Sequence, residues 1–323
     1  MARLGIDLGG TNIVVGLVAD DCSIKDRISC KTALPRSAES IAEDMGRLCQ
    51  EIIKRNGLQN KDIEAVGAGI PGTVNKKTGI VEYANNLGFE NVPLAAMLKK
   101  YIDIPLFMDN DANAAAWGEY KAGGYKEDSF VLITLGTGIG GGVILDGKLL
   151  HGINYAGGEL GHTTINFKGR PCNCGRTGCF EVYGSASALI EQTRDAMAFD
   201  RVSDHLYEKS VLWTLCGGNI DNIEAKSVFD AVSQGDELAN ILLDEYTTYL
   251  SEGIANIINI FQPAVFCIGG GVSKAGKTLL DPLKKKTAKL IYSRNSAVNT
   301  EITLARFDND AGIIGAALLN ELP

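Results

Sequence analysis

The chain has 323 residues, of which 45% are hydrophobic and 22% charged, a globular composition that fits about two domains. With 31 basic and 39 acidic residues its net charge is −8, which argues against a broad surface for nucleic acid or anionic membranes. No apolar run approaches the roughly 18 residues of a membrane span. Strand-like sequence from about Leu4 predicts that no signal peptide precedes it. A cytoplasmic protein is expected.

The first predicted elements form a strand–turn–strand unit whose turn is rich in glycine. Residues 4–8 suit a strand, Gly9-Gly10-Thr11-Asn12 suits the turn, and residues 13–18 return as a second strand. Glycine allows backbone N–H groups to point at phosphate oxygens, and Asp7 at the strand end could hold a metal ion through water. An ordinary turn beside a solvated carboxylate is the alternative.

Helices and buried strands alternate in the next part of the chain. The predicted elements are a helix from Ser37 to Asn56, a strand at 65–70 that ends at Pro71-Gly72, a helix from Pro93 to about Lys100, and a short strand at 106–108. The sequence between Gly72 and Phe89 is less regular. This alternation is typical of α/β proteins.

The strand at 106–108 ends in Asp109-Asn110-Asp111, and a helix follows. Open α/β sheets bind ligands at such strand ends, and a carboxylate there can act as a general base towards a hydroxyl. All three residue types also favour helix N-caps, but one cap does not require three of them. We therefore expect Asp109 to be structural and Asn110 and Asp111 to be free for a ligand.

The glycine-rich hairpin recurs further along the chain. A strand at 130–134 precedes Leu135-Gly136-Thr137-Gly138-Ile139-Gly140-Gly141-Gly142, and residues 143–145 form the return strand. Five glycines in eight residues exceed what a turn needs, which favours a second phosphate-binding loop with Thr137 as a hydroxyl donor. Two such units predict two related α/β domains that face each other.

Residues 151–181 are rich in glycine and cysteine. Their candidate metal ligands are three cysteines in the spacing C-x-C-x4-C and one upstream histidine: His162, Cys172, Cys174 and Cys179. Three thiolates and one imidazole suit tetrahedral zinc, and a full set of protein ligands indicates a structural site. Reduced cysteines in a loop, or one disulfide, are the alternatives.

Two glutamates flank the candidate metal ligands. Glu159 precedes the histidine by three residues, and Glu181 follows the last cysteine by two. A shared ion would bring both carboxylates towards a common site, whereas the alternative is two solvated side chains. The two remaining histidines, His151 and His205, are assigned no functional role.

A P-loop-like sequence lies near the C-terminus. Residues 271–278, GVSKAGKT, match the pattern after a predicted strand at 265–268. Only 45 residues remain, enough for a strand at 302–305 and a helix from Asp310, its expected N-cap, to Asn320. Because a P-loop domain builds its sheet largely downstream, we instead expect Gly269-Gly270-Gly271 to lie near an adenosine and Lys277 to be solvated.

These motifs together resemble those of the ROK family (repressors, open reading frames, sugar kinases). The resemblance covers nearly the whole chain and rests on the two glycine hairpins, on Gly158-Glu159-Leu160-Gly161-His162, and on Cys172-x-Cys174-Gly175-x-x-Gly178-Cys179-x-Glu181. Within the family it points to bacterial ROK glucokinases, through Asn86-Leu87-Gly88-Phe89 and Gly269-Gly270-Gly271-Val272-Ser273. Phe89 stands where those enzymes often carry tryptophan.

The resemblance implies the actin-like ATPase fold, also called the ribonuclease H-like fold, a duplicated α/β fold with two lobes and an interlobe cleft. The smaller lobe would comprise residues 1–112 and 308–323. The larger lobe would comprise residues 113–307, including a zinc-binding insertion at 151–181. The implied activity is ATP-dependent phosphorylation of glucose to glucose 6-phosphate, with Mg²⁺ and structural zinc, in a homodimer or homotetramer.

Other activities within the resemblance stay open. A ROK kinase for fructose, mannose or N-acetylmannosamine would use the same hydroxyl-binding carboxylates. A sugar-responsive repressor would carry an N-terminal helix-turn-helix domain, for which a strand from about Leu4 leaves no room. A filament-forming actin relative would have no use for the zinc ligands and the two glutamates.

The resemblance also implies roles for individual residues. Asp111 would bind the sugar 6-hydroxyl and take its proton as the catalytic base, and His162 would serve both zinc and sugar. The other sugar-binding residues would be Gly72, Asn110, Glu159 and Glu181. The nucleotide and its Mg²⁺ would be held by Asp7, Gly9, Gly10, Thr11, Asn12, Gly136, Thr137, Gly138, Gly140, Gly270 and Gly271.

Overall fold

The computed structural model describes residues 2–202 and 209–323. Its strands are β1 (Ala2–Leu8), β2 (Asn12–Val18), β3 (Ile24–Lys31), β4 (Ile63–Ile70), β5 (Thr73–Asn75), β6 (Ile80–Ala84), β7 (Phe89–Val92), β8 (Leu106–Asn110), β9 (Phe130–Leu135), β10 (Ile139–Leu145), β11 (Lys148–Leu149), β12 (Val265–Gly269) and β13 (Glu301–Leu304). Its α-helices are α1 (Ala38–Arg55), α2 (Leu94–Leu98), α3 (Asp111–Ala122), α4 (Glu181–Gly184), α5 (Ala186–Val202), α6 (Val211–Leu215), α7 (Ala225–Ser233), α8 (Glu237–Phe261), α9 (Lys277–Leu290) and α10 (Asp310–Ala317).

The first sheet has the strand order β3-β2-β1-β4-β8. β1 and β2 are antiparallel, as the predicted hairpin requires, whereas β1, β4 and β8 run parallel. Their carboxyl ends therefore meet at one edge, where Asp7 and Asp109 both pair with Gly69 of β4, from opposite sides. This register explains why residues far apart in sequence share one sheet edge.

Helices cover the first sheet through two different kinds of contact. On α1 the buried residues recur every three or four positions, among them Ile41, Met45 and Ile52, as in an amphipathic helix. α10 approaches more closely, because a Cβ atom at Gly5 or Gly67 would clash with its backbone. Part of the high glycine content therefore serves helix–sheet packing rather than ligand binding.

The second five-stranded sheet has the order β11-β10-β9-β12-β13. When the five strands of each sheet are numbered in the order in which they occur along the chain, both sheets have the same spatial order: third, second, first, fourth, fifth. β10 and β11 are antiparallel and β12 and β13 are parallel, as at the corresponding positions of the first sheet. The predicted repetition of an α/β unit is confirmed.

The structure corrects three expectations about elements. The stretch after Gly72 is not irregular, because β5, β6 and β7 form a third, antiparallel sheet. β3 was not predicted, because half-buried and exposed residues alternate along it and its sequence lacks a strong apolar pattern. Asp310 is the first residue of α10, and Asn309 occupies the cap position.

The chain forms two compact units. The first comprises residues 1–132, 141–158 and 306–323, and the second comprises residues 133–140 and 159–305. The lobe boundaries expected from the sequence, 1–112 with 308–323 and 113–307, differ from these ranges and stay a prediction. Within the described residues no helix combines the length and hydrophobicity that crossing a bilayer demands.

Candidate active site

The first glycine hairpin (residues 7–12) lies at the tip between β1 and β2. Thr32 fixes its backbone by donating its hydroxyl to the Gly9 carbonyl at 2.6 Å and its N–H to the Thr11 carbonyl at 2.9 Å. A cleft of about 470 Å³ opens beside the hairpin and is lined by all five predicted residues, Asp7, Gly9, Gly10, Thr11 and Asn12. A Cβ atom at Gly10 would meet nothing within 4 Å, so the backbone there is accessible to a ligand.

Two carboxyl groups of the first unit, those of Asp7 and Asp111, have raised pKa values. Burial, together with the negative charge of Asp111, raises the pKa of Asp7 to about 6. Burial also raises the pKa of Asp111, although the Ala112 N–H donates to its carboxylate at 2.8 Å and works in the opposite direction. An acidic pair of this kind is a suitable environment for a divalent cation, whose charge would relieve the repulsion.

The base turn (residues 109–111) joins β8 to α3, and its first two side chains hold it together. Asp109 accepts hydrogen bonds from the Asn110 N–H at 2.8 Å and the Asn113 side chain at 3.0 Å, which agrees with the structural role expected for it. Asn110 caps α3, because its Oδ1 accepts from the backbone N–H of Asn113 at 3.1 Å and of Ala112 at 2.8 Å. Contrary to expectation, Asn110 is therefore not free.

Gly72 lies against the base turn. Its carbonyl accepts a hydrogen bond from the Asn110 side-chain amide at 2.9 Å. Its φ of +91° belongs to the left-handed region, and a Cβ atom there would clash with the Tyr83 carbonyl. Glycine is therefore required here, and three of the predicted sugar-binding residues, Gly72, Asn110 and Asp111, lie in one place.

Sequence reasoning missed one contact of this turn. The Nε2 atom of His151 lies 2.6 Å from the Asp109 carboxylate, so this histidine, assigned no role from the sequence, contacts the base turn. The two residues are 42 positions apart and share no motif, so only the fold brings them together. The other unassigned histidine, His205, lies outside the described residues.

The second glycine hairpin (residues 135–142) is fixed by side chains and backbone of the second unit. The carboxylate of Glu181 accepts from the Ile139 N–H at 2.9 Å, and a Cβ atom at Gly138 would clash with that carboxylate. The Ala186 N–H donates to the Gly136 carbonyl at 2.9 Å. A Cβ atom at Gly136 would meet nothing within 4 Å, so this part of the loop is also accessible to a ligand.

The adjacent glycines Gly270 and Gly271 differ in the space around them. A Cβ atom at Gly270, where φ is +85°, would clash with the backbone of Leu135, whereas one at Gly271 would enter open space. Gly142 packs closely on α3, since a Cβ atom there would clash with Ala116, so the excess of glycine in the second hairpin is partly a packing feature. Lys277 of the P-loop-like sequence is exposed on α9, as expected.

The four candidate zinc ligands lie together in the cysteine loop (residues 162–181). The ligand atoms of His162, Cys172, Cys174 and Cys179 all lie within 4.8 Å of one another. The Cys174 and Cys179 sulfurs are 3.6 Å apart, and His162 Nδ1 is 3.7 Å from the Cys172 sulfur. Tetrahedral zinc with bonds of about 2.3 Å to sulfur places ligand atoms about 3.8 Å apart, so the donor set and its spacing fit zinc.

The surroundings shift the pKa values of these thiols in different directions. Burial raises the pKa of Cys172 and raises that of Cys179 to about 12, so both disfavour the thiolate without a cation. The Arg176 backbone N–H lowers the pKa of Cys174 instead. Arg176 also donates its guanidinium to the His162 carbonyl at 2.9 Å, which ties the two ends of the loop together.

Known proteins resemble this chain over nearly its whole length. The family model described as ROK family matches residues 3–321 of the chain. The chain belongs to the ROK family. ROK sugar kinases have the actin-like ATPase fold, so the fold class predicted from the sequence is confirmed.

Several relatives of this ROK protein are glucokinases. The chain is 37% identical to the glucokinase of Thermotoga maritima, over 97% of this chain and 95% of the relative, and 36% identical to that of Halalkalibacterium halodurans, over 98% and 94%. A solved ROK family glucokinase from Streptomyces griseus, in complex with glucose and AMPPNP, is 33% identical and superposes with a TM-score of 0.85, over 99% of both chains.

Within each unit of this ROK protein the structure assembles one set of predicted residues. In the first unit these are the five hairpin residues with Gly72, Asn110 and Asp111. In the second unit Glu181 joins the cysteine loop to the second hairpin, and the His162 N–H donates to the Glu159 carbonyl at 3.2 Å. Each unit thus contains part of the predicted set, and the functional roles of these residues stay a prediction.

Proposed function

We propose that this protein is a glucokinase that transfers the γ-phosphoryl group of ATP to the 6-hydroxyl of glucose. The observation that carries the proposal is the placement of Asp111, a carboxylate with a raised pKa, at the same sheet edge as a glycine hairpin with accessible backbone. The glucokinases among the relatives, and the Streptomyces griseus enzyme with its bound glucose and AMPPNP, support the choice of both substrates.

Asp111 acts as the general base in this proposal. It takes the proton of the sugar 6-hydroxyl as that oxygen attacks the γ-phosphorus and ADP leaves. Its raised pKa makes it a stronger base than an exposed carboxylate. Asn110 uses its Oδ1 to cap α3 and one amide N–H to hold Gly72, so its second amide N–H is the group it offers to the sugar. Gly72 contributes a backbone contact, and Glu159, His162 and Glu181 bind the other hydroxyls.

The two glycine hairpins hold the phosphates of ATP through backbone N–H groups, with Thr11 and Thr137 as hydroxyl donors. Catalysis of phosphoryl transfer consists largely of positioning and charge stabilisation, which such backbone donors provide without a buried lysine. Gly270 and Gly271 lie near the adenosine. Asp7 would hold Mg²⁺, which when bound neutralises charge on the phosphates.

Zinc has a structural role in this proposal. His162, Cys172, Cys174 and Cys179 would hold it as a complete tetrahedral set, which leaves no position for a reacting water. Its contribution is to fix the cysteine loop, and with it Glu181. Metal analysis of purified protein should find one zinc per chain, whereas a zinc content near zero would contradict this part.

The cellular setting is proposed from the sequence and the family. The protein would be cytoplasmic, would bind neither nucleic acid nor membranes, and would form a homodimer or homotetramer. Light scattering after size-exclusion chromatography tests the assembly directly, because a monomeric mass at micromolar concentration would contradict it.

The activity is tested by ADP release in the presence of ATP and Mg²⁺ across a panel of glucose, fructose, mannose and N-acetylmannosamine. We expect the highest kcat/KM with glucose. A preference for another of these sugars would identify a different ROK hexose kinase. No sugar-dependent release with any of them would contradict the proposal.

A further inference from the structure

The carboxylate of Asp109 is the most deeply buried charged group of the base turn, with only 2% of the residue exposed. One oxygen accepts from the Asn110 N–H and from the Asn113 side chain. The other oxygen faces Nε2 of His151 at 2.6 Å. Since a buried carboxylate without partners is strongly unfavourable, the histidine supplies a contact that this turn needs.

The neighbours of His151 determine which ring nitrogen carries the proton. An ionised carboxylate only accepts hydrogen bonds, so Nε2 must donate to Asp109. On the other side of the ring, Nδ1 lies 3.4 Å from the ammonium group of Lys76, which only donates. Lys76 therefore donates to Nδ1 of His151, and Nε2 of His151 donates to Asp109. These two contacts select the Nε2–H tautomer.

His151 also marks the start of a distinct segment of the first unit, residues 151–158. The Gly157 N–H donates to the His151 carbonyl at 2.9 Å, which folds the segment back on itself. Glu159 follows this segment directly in the sequence. His151 therefore ties the backbone that precedes a predicted sugar ligand to the turn that carries the predicted base.

We propose that His151 is a positioning residue for phosphoryl transfer, which through Asp109 holds the base turn in the orientation that Asp111 needs. In this proposal His151 acts through Asp109 and not directly on the sugar or the nucleotide. The inference rests on the proposed function, in which Asp111 is the base. The inference adds that the geometry of this base requires a hydrogen-bond donor from a distant part of the chain, the ring of His151.

Two substitutions separate hydrogen bonding from packing. His151→Leu removes the donor at similar volume, whereas His151→Gln places an amide N–H near the position of Nε2. We expect the leucine variant to lose about 10- to 100-fold in kcat, the scale of a small misplacement of a reacting group, with KM for ATP within about threefold of wild type. The glutamine variant should recover kcat to within about fivefold. All variants are assayed below the onset of thermal unfolding, with the sugar that wild type prefers.

A leucine variant with kcat within threefold of wild type would overturn the proposal, as would a folded glutamine variant as impaired as leucine. A wild-type protein without sugar-dependent ADP release would instead count against the proposed function. A second measurement needs neither activity nor a folded leucine variant. In ¹⁵N-histidine NMR of wild-type protein, which has three histidines, the signal absent from the His151→Gln spectrum should show the Nε2–H tautomer. An unprotonated Nε2 would overturn the proposal.

Discussion

The two glycine hairpins share a sequence pattern, but different groups hold them in place. The first is fixed by the hydroxyl and backbone of Thr32, which carry no charge. The second is fixed by the carboxylate of Glu181, which accepts from the Ile139 N–H. Because Glu181 follows Cys179 by only two residues, the second hairpin is hydrogen-bonded to the cysteine loop, whereas the contacts described for the first hairpin come from Thr32. Two copies of one glycine-rich hairpin can thus be held in place by different side chains.

The surrounding charge also differs between the hairpins. The first contains Asp7, whose pKa is raised by burial and by Asp111. Beside the second hairpin, the carboxylate of Glu181 already accepts a hydrogen bond from the Ile139 backbone N–H. We therefore expect cation binding and proton transfer to be properties of the first hairpin and its sheet edge, and support from the cysteine loop to be a property of the second.

The largest expected effect concerns the base beside the first hairpin. Asp111→Asn removes the proton acceptor at nearly constant volume, so kcat should fall by at least about two orders of magnitude in the ADP-release assay with glucose. Asp103→Asn, at an exposed position, is the matched control and should keep the wild-type kcat. Near-normal turnover of the Asp111 variant would refute its assignment as the base.

The next effect concerns the stability of the metal-free protein. A carboxyl group whose pKa rises from 3.8 to about 6 on folding costs stability as pH rises through that interval, up to about 3 kcal/mol above it. Asp7→Asn should therefore increase the free energy of unfolding at pH 7.5, and the gain should vanish below about pH 4. Urea unfolding with a chelator present measures both values. Equal stability of variant and wild type at pH 7.5 would contradict the pKa shift.

Three alanine substitutions compare the two hairpins directly. Gly10→Ala and Gly136→Ala place a Cβ atom in open space, so each should leave the unfolding temperature unchanged while raising KM for ATP about tenfold, or about 1.4 kcal/mol. Gly138→Ala should also lower stability, by about 1 kcal/mol, because the Glu181 carboxylate must move away from the new Cβ atom and lose its hydrogen bond from the Ile139 N–H. The argument fails if Gly138→Ala is as stable as Gly136→Ala, or if neither open-space variant changes KM.

The smallest expected effect tests the support of the second hairpin. Removing zinc should weaken the binding of both glucose and a non-hydrolysable ATP analogue several-fold, because Glu181 would no longer be held towards Ile139. Calorimetry on folded, zinc-free protein measures both affinities, and re-addition of zinc is the control. Unchanged affinity for both ligands would show that the hairpin does not depend on the cysteine loop.

Much of this arrangement follows from local sequence patterns. The strands and turns of both hairpins, the helix after Ser37 and the cluster of three cysteines with His162 are each encoded within short segments. The third sheet was missed because β5 has three residues and its neighbours are short and partly polar, which leaves little apolar alternation to detect.

Contacts between distant segments could not be predicted in this way. His151 meets Asp109 only because the chain returns to the end of β8 after forming another hairpin. Likewise, Glu181 was expected to serve a sugar, and nothing in its spacing indicated the contact with the Ile139 N–H. Such side chains become identifiable only when the register of the sheets is known.

The central claim is that this protein phosphorylates the 6-hydroxyl of glucose with ATP. Incubation of the purified protein with glucose, ATP and Mg²⁺, followed by ³¹P NMR of the mixture, identifies the phosphorylated position directly. We expect glucose 6-phosphate and ADP in equal amounts. Phosphate on a different hydroxyl, or inorganic phosphate without a sugar phosphate, would contradict the account.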